Sequence, residues 1–103
     1  MKKVFSSFSE LLDFDFSQLE PCCSNYLILE PNDGILPTVK KGYYFGKWRV
    51  ISRSDSDSHP TMTIEITPRW VTITIYDGKS KRKEDFECVR QTPKALIQEI
   101  FES

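Results

Sequence analysis

The chain has 103 residues, 39% of them apolar and 28% charged, with a formal net charge of −1 at pH 7. That length suits one domain, residues 1–103, with a single modest core, and the balance of apolar to charged residues excludes a disordered chain. No apolar run approaches the ~18 residues that a membrane-spanning helix needs, which excludes an integral helical membrane protein and predicts no membrane partner.

Met1-Lys2-Lys3 is basic like the start of a leader peptide, but Ser6, Ser7, Ser9, Glu10 and Asp13 interrupt the apolar stretch that should follow. The expectation is a cytoplasmic protein, neither exported nor anchored. Phe5, Phe8, Leu12, Phe16 and Leu19 step by three and four, which predicts an amphipathic helix. Ser7 and Glu10 have the spacing of a capping box, Glu10 and Asp13 complement the helix dipole, and Pro21 ends the run.

Cys22 and Cys23 are adjacent and Cys88 stands alone. An odd, unspaced set suits reduced thiols in a reducing compartment better than a disulfide framework. Structural zinc takes ligands in pairs two to four residues apart, a pattern that Cys22, Cys23, Cys88 and His59 do not offer. A redox-sensing role for the vicinal pair has no electropositive neighbour in the sequence to support it.

Tyr26 to Glu30 predicts a strand, Pro31-Asn32-Asp33-Gly34 a turn, and Ile35-Leu36 a short return strand that Pro37 confines to an edge or a loop. Residues 42–53 predict the next strand. Its parity puts Tyr44, Trp48 and Val50 on one face and Tyr43, Phe45, Lys47, Arg49, Ile51 and Arg53 on the other, with Gly46 as a candidate bulge. Residues 54–60, rich in Ser and Asp, predict a polar loop.

The clearest pattern is Thr61–Thr67 followed by a Pro68-Arg69 corner and Trp70–Tyr76. Met62, Ile64 and Ile66 alternate with Thr63 and Glu65, and Val71, Ile73 and Ile75 alternate with Thr72 and Thr74, as in an antiparallel hairpin with one apolar face. Asp77-Gly78 predicts a further hairpin turn, leading to a strand near 84–90 with Phe86 and Cys88 inward. Thr92 as N-cap and Pro93 in the first turn start a last helix, with Leu96, Ile97, Ile100 and Phe101 as its buried stripe. The predicted fold is α+β: an antiparallel β-meander of about four or five strands, with an N-terminal and a C-terminal helix packed on one face.

The single histidine, His59, lies in a Ser/Asp loop, and there is no phosphate-binding glycine loop, metal-ligand spacing or nucleophile elbow. The expectation is a non-enzymatic chain without cofactor or metal. Charge is unevenly spread. Val4 to Val39 holds acids and no Lys or Arg, Lys40 to Arg53 holds cations and no acid, and Lys79, Lys81, Arg82 and Lys83 form a second basic cluster. Such a distribution bears on partners rather than on fold.

The sheet face away from the helices is then expected to carry Tyr43, Phe45, Lys47, Arg49, Arg53, Trp70 and Tyr76, with Lys81, Arg82 and Lys83 at a hairpin tip. Trp, Tyr and Arg are enriched at protein interfaces, so the first expectation is a small protein-binding module of the adaptor, inhibitor or immunity type. The alternative is a single-stranded nucleic-acid binder, with bases stacked on the rings and phosphates on the cations. The plainer reading is that Trp70, Tyr76 and Phe45 cover one another, or lie beneath the Ile35–Val39 segment. Oligomeric state is left open by the sequence.

Overall fold

The computed structural model describes residues 1–42, 48–54 and 59–102. In chain order the elements are β1 (Lys2–Phe5), α1 (Phe8–Asp13), a 3-10 turn (Phe16–Gln18), β2 (Asn25–Leu29), β3 (Arg49–Arg53), β4 (Thr61–Ile66), β5 (Trp70–Tyr76), β6 (Ser80–Glu87) and α2 (Pro93–Ile100). The fold is α+β, as the sequence predicts, but its sheet has six strands in the order β1-β2-β4-β5-β6-β3 and is mixed rather than an antiparallel meander. β1 lies parallel to β2, and the other pairings are antiparallel.

The first correction concerns the N-terminus, where a strand precedes the helix. Lys2, Lys3 and Val4 are exposed on an edge, so they carry no apolar alternation by which a sequence reading would find them. Ser7 does cap α1, its Oγ accepting the Glu10 N–H at 3.1 Å, while the Glu10 carboxylate reaches back to the Ser6 N–H. The predicted long helix breaks at Phe14, which is extended at φ −61°, ψ 139°. A continuous helix would turn Phe14 off the apolar stripe; the break lets its ring bury edge-on against Phe5, at 5.7 Å between centroids. Asp15 then caps the 3-10 turn by accepting the Ser17 N–H.

The Pro31–Gly34 turn forms, with Gly34 at φ 71° and Asp33 accepting the Ile35 N–H. The predicted return strand at Ile35-Leu36 does not. Leu36 and Val39 instead pack against the core, and Val39 bridges to Phe101. β3 is also displaced from its predicted neighbour. It pairs with β6, because β2 occupies the free edge of β4. The bulge in β3 falls between Val50 and Ser52; Gly46, with Tyr43, Phe45 and Lys47, lies outside the described residues.

The β4–β5 hairpin follows the sequence expectation, and the second turn forms at Asp77-Gly78, but β6 runs over Ser80–Glu87 rather than 84–90. Lys81, Arg82 and Lys83 therefore lie within a strand paired to both β5 and β3, and not at a hairpin tip. Thr67 and Trp70 close the first turn, and in the second Gly78 takes φ 99° while Asp77 accepts the Lys79 and Ser80 N–H groups. α2 starts as predicted, with Thr92 Oγ1 accepting the Ala95 N–H. Leu27, Leu29, Met62, Ile64, Ile66, Val71 and Ile73 form the buried sheet face, and Leu11, Leu96, Ile97, Ile100 and Phe101 complete the same cluster. Both helices therefore share one layer against one face of the sheet, with Phe8 of α1 edge-on to Phe101 after α2 at 5.6 Å. No helix among the described residues is long and apolar enough to cross a membrane.

Candidate functional site: the uncovered face of the sheet

Strand register determines which side chains share the face opposite the helices. Lys2, Tyr26, Glu65, Thr72 and Asp85 lie in one row across the sheet, and Val4, Ile28, Thr63, Thr74, Lys83 and Arg49 in the next. Thr61, Tyr76, Lys81 and Ser52 form a third row, and Trp70 pairs with Glu87 at the far end. Trp70 is 43% exposed, Tyr26 38% and Val4 52%. The centre is threonine-rich, and threonines on paired strands make a flat, half-polar surface.

The structure thus gathers Arg49, Trp70, Tyr76, Lys81 and Lys83 on one face, and separates two residues that the sequence reading grouped with them. Arg82 pairs across from Val50 and Ile75 on the helix side of the sheet. The bulge after Val50 reverses the parity of β3, so Arg53, opposite Ser80, also falls on the helix-side parity. The helix side further holds Glu84, opposite Ile73, whose Oε2 is buried and has no hydrogen-bond partner among the described residues. Trp48 lies on the core side, edge-on to Phe86 at 5.9 Å.

Trp70 and Tyr76 do not cover each other, and Phe45, the third ring of the plainer reading, lies outside the described residues. Trp70 and Tyr76 stand at opposite ends of β5, and the Ile35–Val39 segment sends Leu36 and Val39 to the helix side. Tyr76 is half-buried and its hydroxyl donates to the Gly78 carbonyl at 3.3 Å. Tyr26 donates to the Glu65 carboxylate at 3.1 Å.

Two acids that the sequence reading left out of the site stand among the cations. Arg49 pairs with Asp85 at 3.3 Å, and Asp85 also accepts from Thr72 at 2.8 Å. Arg69 pairs with Glu87 at 2.8 Å. Asp85 and Glu87 were recoverable from the sequence, since they alternate with the inward Phe86. These exposed pairs stabilise little, but they locally neutralise the face. The exposed acids of α1, Glu10 and Asp13, lie in the helix layer rather than beside this surface. No group of His, Cys, Asp and Glu suited to a metal ion occurs among the described residues, and His59 stands apart in its loop.

No protein-family model matches this chain, and neither a curated protein nor a solved structure does.

Proposed function

We propose that the chain is a small non-enzymatic protein-binding module that docks a partner on the uncovered face of its sheet. The observation that carries the reading is a threonine-paved face with exposed Trp70 and Tyr26 rings, on which neither helix packs. Six strands at ~4.8 Å spacing and ~20 Å of strand length give a flat footprint of about 500 Å² before side-chain relief is counted. That is the order of a standard protein interface, at ~800 Å² of accessible surface per partner. Trp and Tyr lose little conformational entropy on contact, and Trp, Tyr and Arg are the residue types that dominate interface energetics.

The pairing of Arg49 with Asp85 and of Arg69 with Glu87 favours a protein partner over single-stranded nucleic acid. A backbone track needs cations free to displace counterions from phosphates, and Asp85, Glu87 and Glu65 repel phosphate along half of the face.

Affinity capture from the native host with three immobilised forms tests the proposal. The wild-type chain should retain a discrete partner, and Trp70→Ala should weaken retention roughly 30-fold, the effect of losing an interface anchor. Lys94→Ala, on the helix layer, should retain the partner like wild type. Retention that survives Trp70→Ala but fails with Lys94→Ala contradicts the proposed surface. An oligonucleotide shift at low salt, abolished by Lys81→Ala or Lys83→Ala, would replace it with the nucleic-acid reading.

A further inference from the structure

Cys22 and Cys23 lie in the turn of residues 21–23 that precedes β2, both exposed, with their Sγ atoms 3.3 Å apart. Neighbouring side chains on an extended chain point to opposite sides, so a shared direction needs a turn that is held in shape. Asn25, 2% exposed, holds it. The Asn25 Nδ2 donates to the Glu20 carbonyl at 2.9 Å and to the Cys23 carbonyl at 3.2 Å, and its Oδ1 accepts the Glu20 N–H at 2.9 Å. Both ends of the turn are tied to one buried amide, and the dithiol is presented ready-made.

The geometry discriminates between possible uses of the pair. Adjacent Cα atoms stand ~3.8 Å apart, short of the ~4.4 Å minimum usual for a disulfide, and closing the sulfurs to ~2.05 Å would pull the Cys23 carbonyl from Asn25. A bound ion asks for no such closure. With sulfur bonds of ~2.3 Å, a 3.3 Å separation subtends roughly 90° at the ion, narrower than the tetrahedral angle of structural zinc. No third His, Cys, Asp or Glu completes a metal-binding group among the described residues. Two sulfurs at a narrow angle suit a pyramidal soft centre whose third bond belongs to its own substituent.

We infer that Cys22 and Cys23 form a chelating dithiol for monosubstituted trivalent arsenicals. With an arsenoxide, two S–H bonds and the As–O double bond break, two As–S bonds form, and both thiol protons leave with the oxygen as one water. Neither arsenic nor sulfur changes oxidation state. The hydrogen bond shared by the two thiols raises the Cys23 pKa above the ordinary thiol value, which slows thiolate-driven disulfide exchange while leaving a thiol proton available to the departing oxygen. Cys88, half-buried with its pKa raised by burial, is the internal control. The inference is independent of the sheet-face reading.

Intact-mass spectrometry of the full chain treated with phenylarsine oxide tests it. The wild-type chain and Cys88→Ser should each carry one adduct that resists excess glutathione and is stripped by 2,3-dimercaptopropanol. Cys22→Ser and Cys23→Ser should lose the adduct to glutathione at roughly 10²-fold lower concentration, because the second sulfur no longer rebinds intramolecularly. The urea-unfolded chain should fall between them. Glutathione displacing the wild-type adduct as readily as that of Cys22→Ser, loss of the adduct in Cys88→Ser, or equal retention in urea would each overturn the inference.

Discussion

Asp77 shows how one side chain sets a turn. Its carboxylate accepts the Ser80 and Lys79 N–H groups, and these bonds to the charged form hold its pKa below the ordinary carboxylate value. A carboxylate with a lowered folded pKa adds stability that is present above its unfolded pKa and lost as pH falls through the folded one. Asp77→Asn should therefore lower the melting temperature at neutral pH, by the equivalent of about 1 kcal/mol or less. The gap from wild type should close as the pH drops below the carboxylate range. A gap that stays constant in thermal melts between pH 7 and pH 2 would assign the effect to shape rather than charge. Gly78, at φ 99° beside it, supplies the backbone conformation that Asp-Gly signals in sequence. Glu84 is the contrasting case. Two residues from the inward Phe86, it shares that side of β6, which places a carboxylate on the helix side with Oε2 unpartnered among the described residues.

At the scale of elements, the β4–β5 hairpin follows directly from its alternation. Ile73 and Thr74 are consecutive, yet Ile73 is wholly buried beneath the helices and Thr74 half-exposed on the open face. Ile73→Ala should cost about 2–5 kcal/mol in urea unfolding, and Thr74→Ala under about 1 kcal/mol. Equal costs would mean that the two faces are equally covered. Caps and tight turns were legible because each rests on neighbouring residues: Ser7 with Glu10, Thr92 with Pro93, Asp77 with Gly78. Long-range pairing was not. β1 is short, charged and parallel to β2, and β3 crosses to the far edge at β6, choices made by which sheet edges remained free. The split of the first helix turned on burying Phe14 against Phe5, again a tertiary contact.

For the whole molecule, two helices in one layer cover one face of the six-stranded sheet, and neither packs on the other face. The existence of that face was legible in the sequence, and so were Trp70, Tyr76, Arg49, Lys81 and Lys83 on it. Arg53 and Arg82 were misplaced, the first because a one-residue bulge inverts every later side chain of a strand. Val4 was missed because β1 itself was not predicted, and Tyr26 because Tyr26-Leu27-Ile28-Leu29 is apolar at every position and so does not declare which side is covered. The binding proposal depends on this one-sidedness, and the two tryptophans report it, one from each side. Acrylamide quenching of Trp48→Phe and Trp70→Phe, each leaving one indole, is the most direct measurement. The account predicts red-shifted, strongly quenched emission from Trp70 and blue-shifted, protected emission from Trp48. Equal quenching, or a protected Trp70, would contradict an open sheet face and remove the surface on which the proposed function rests.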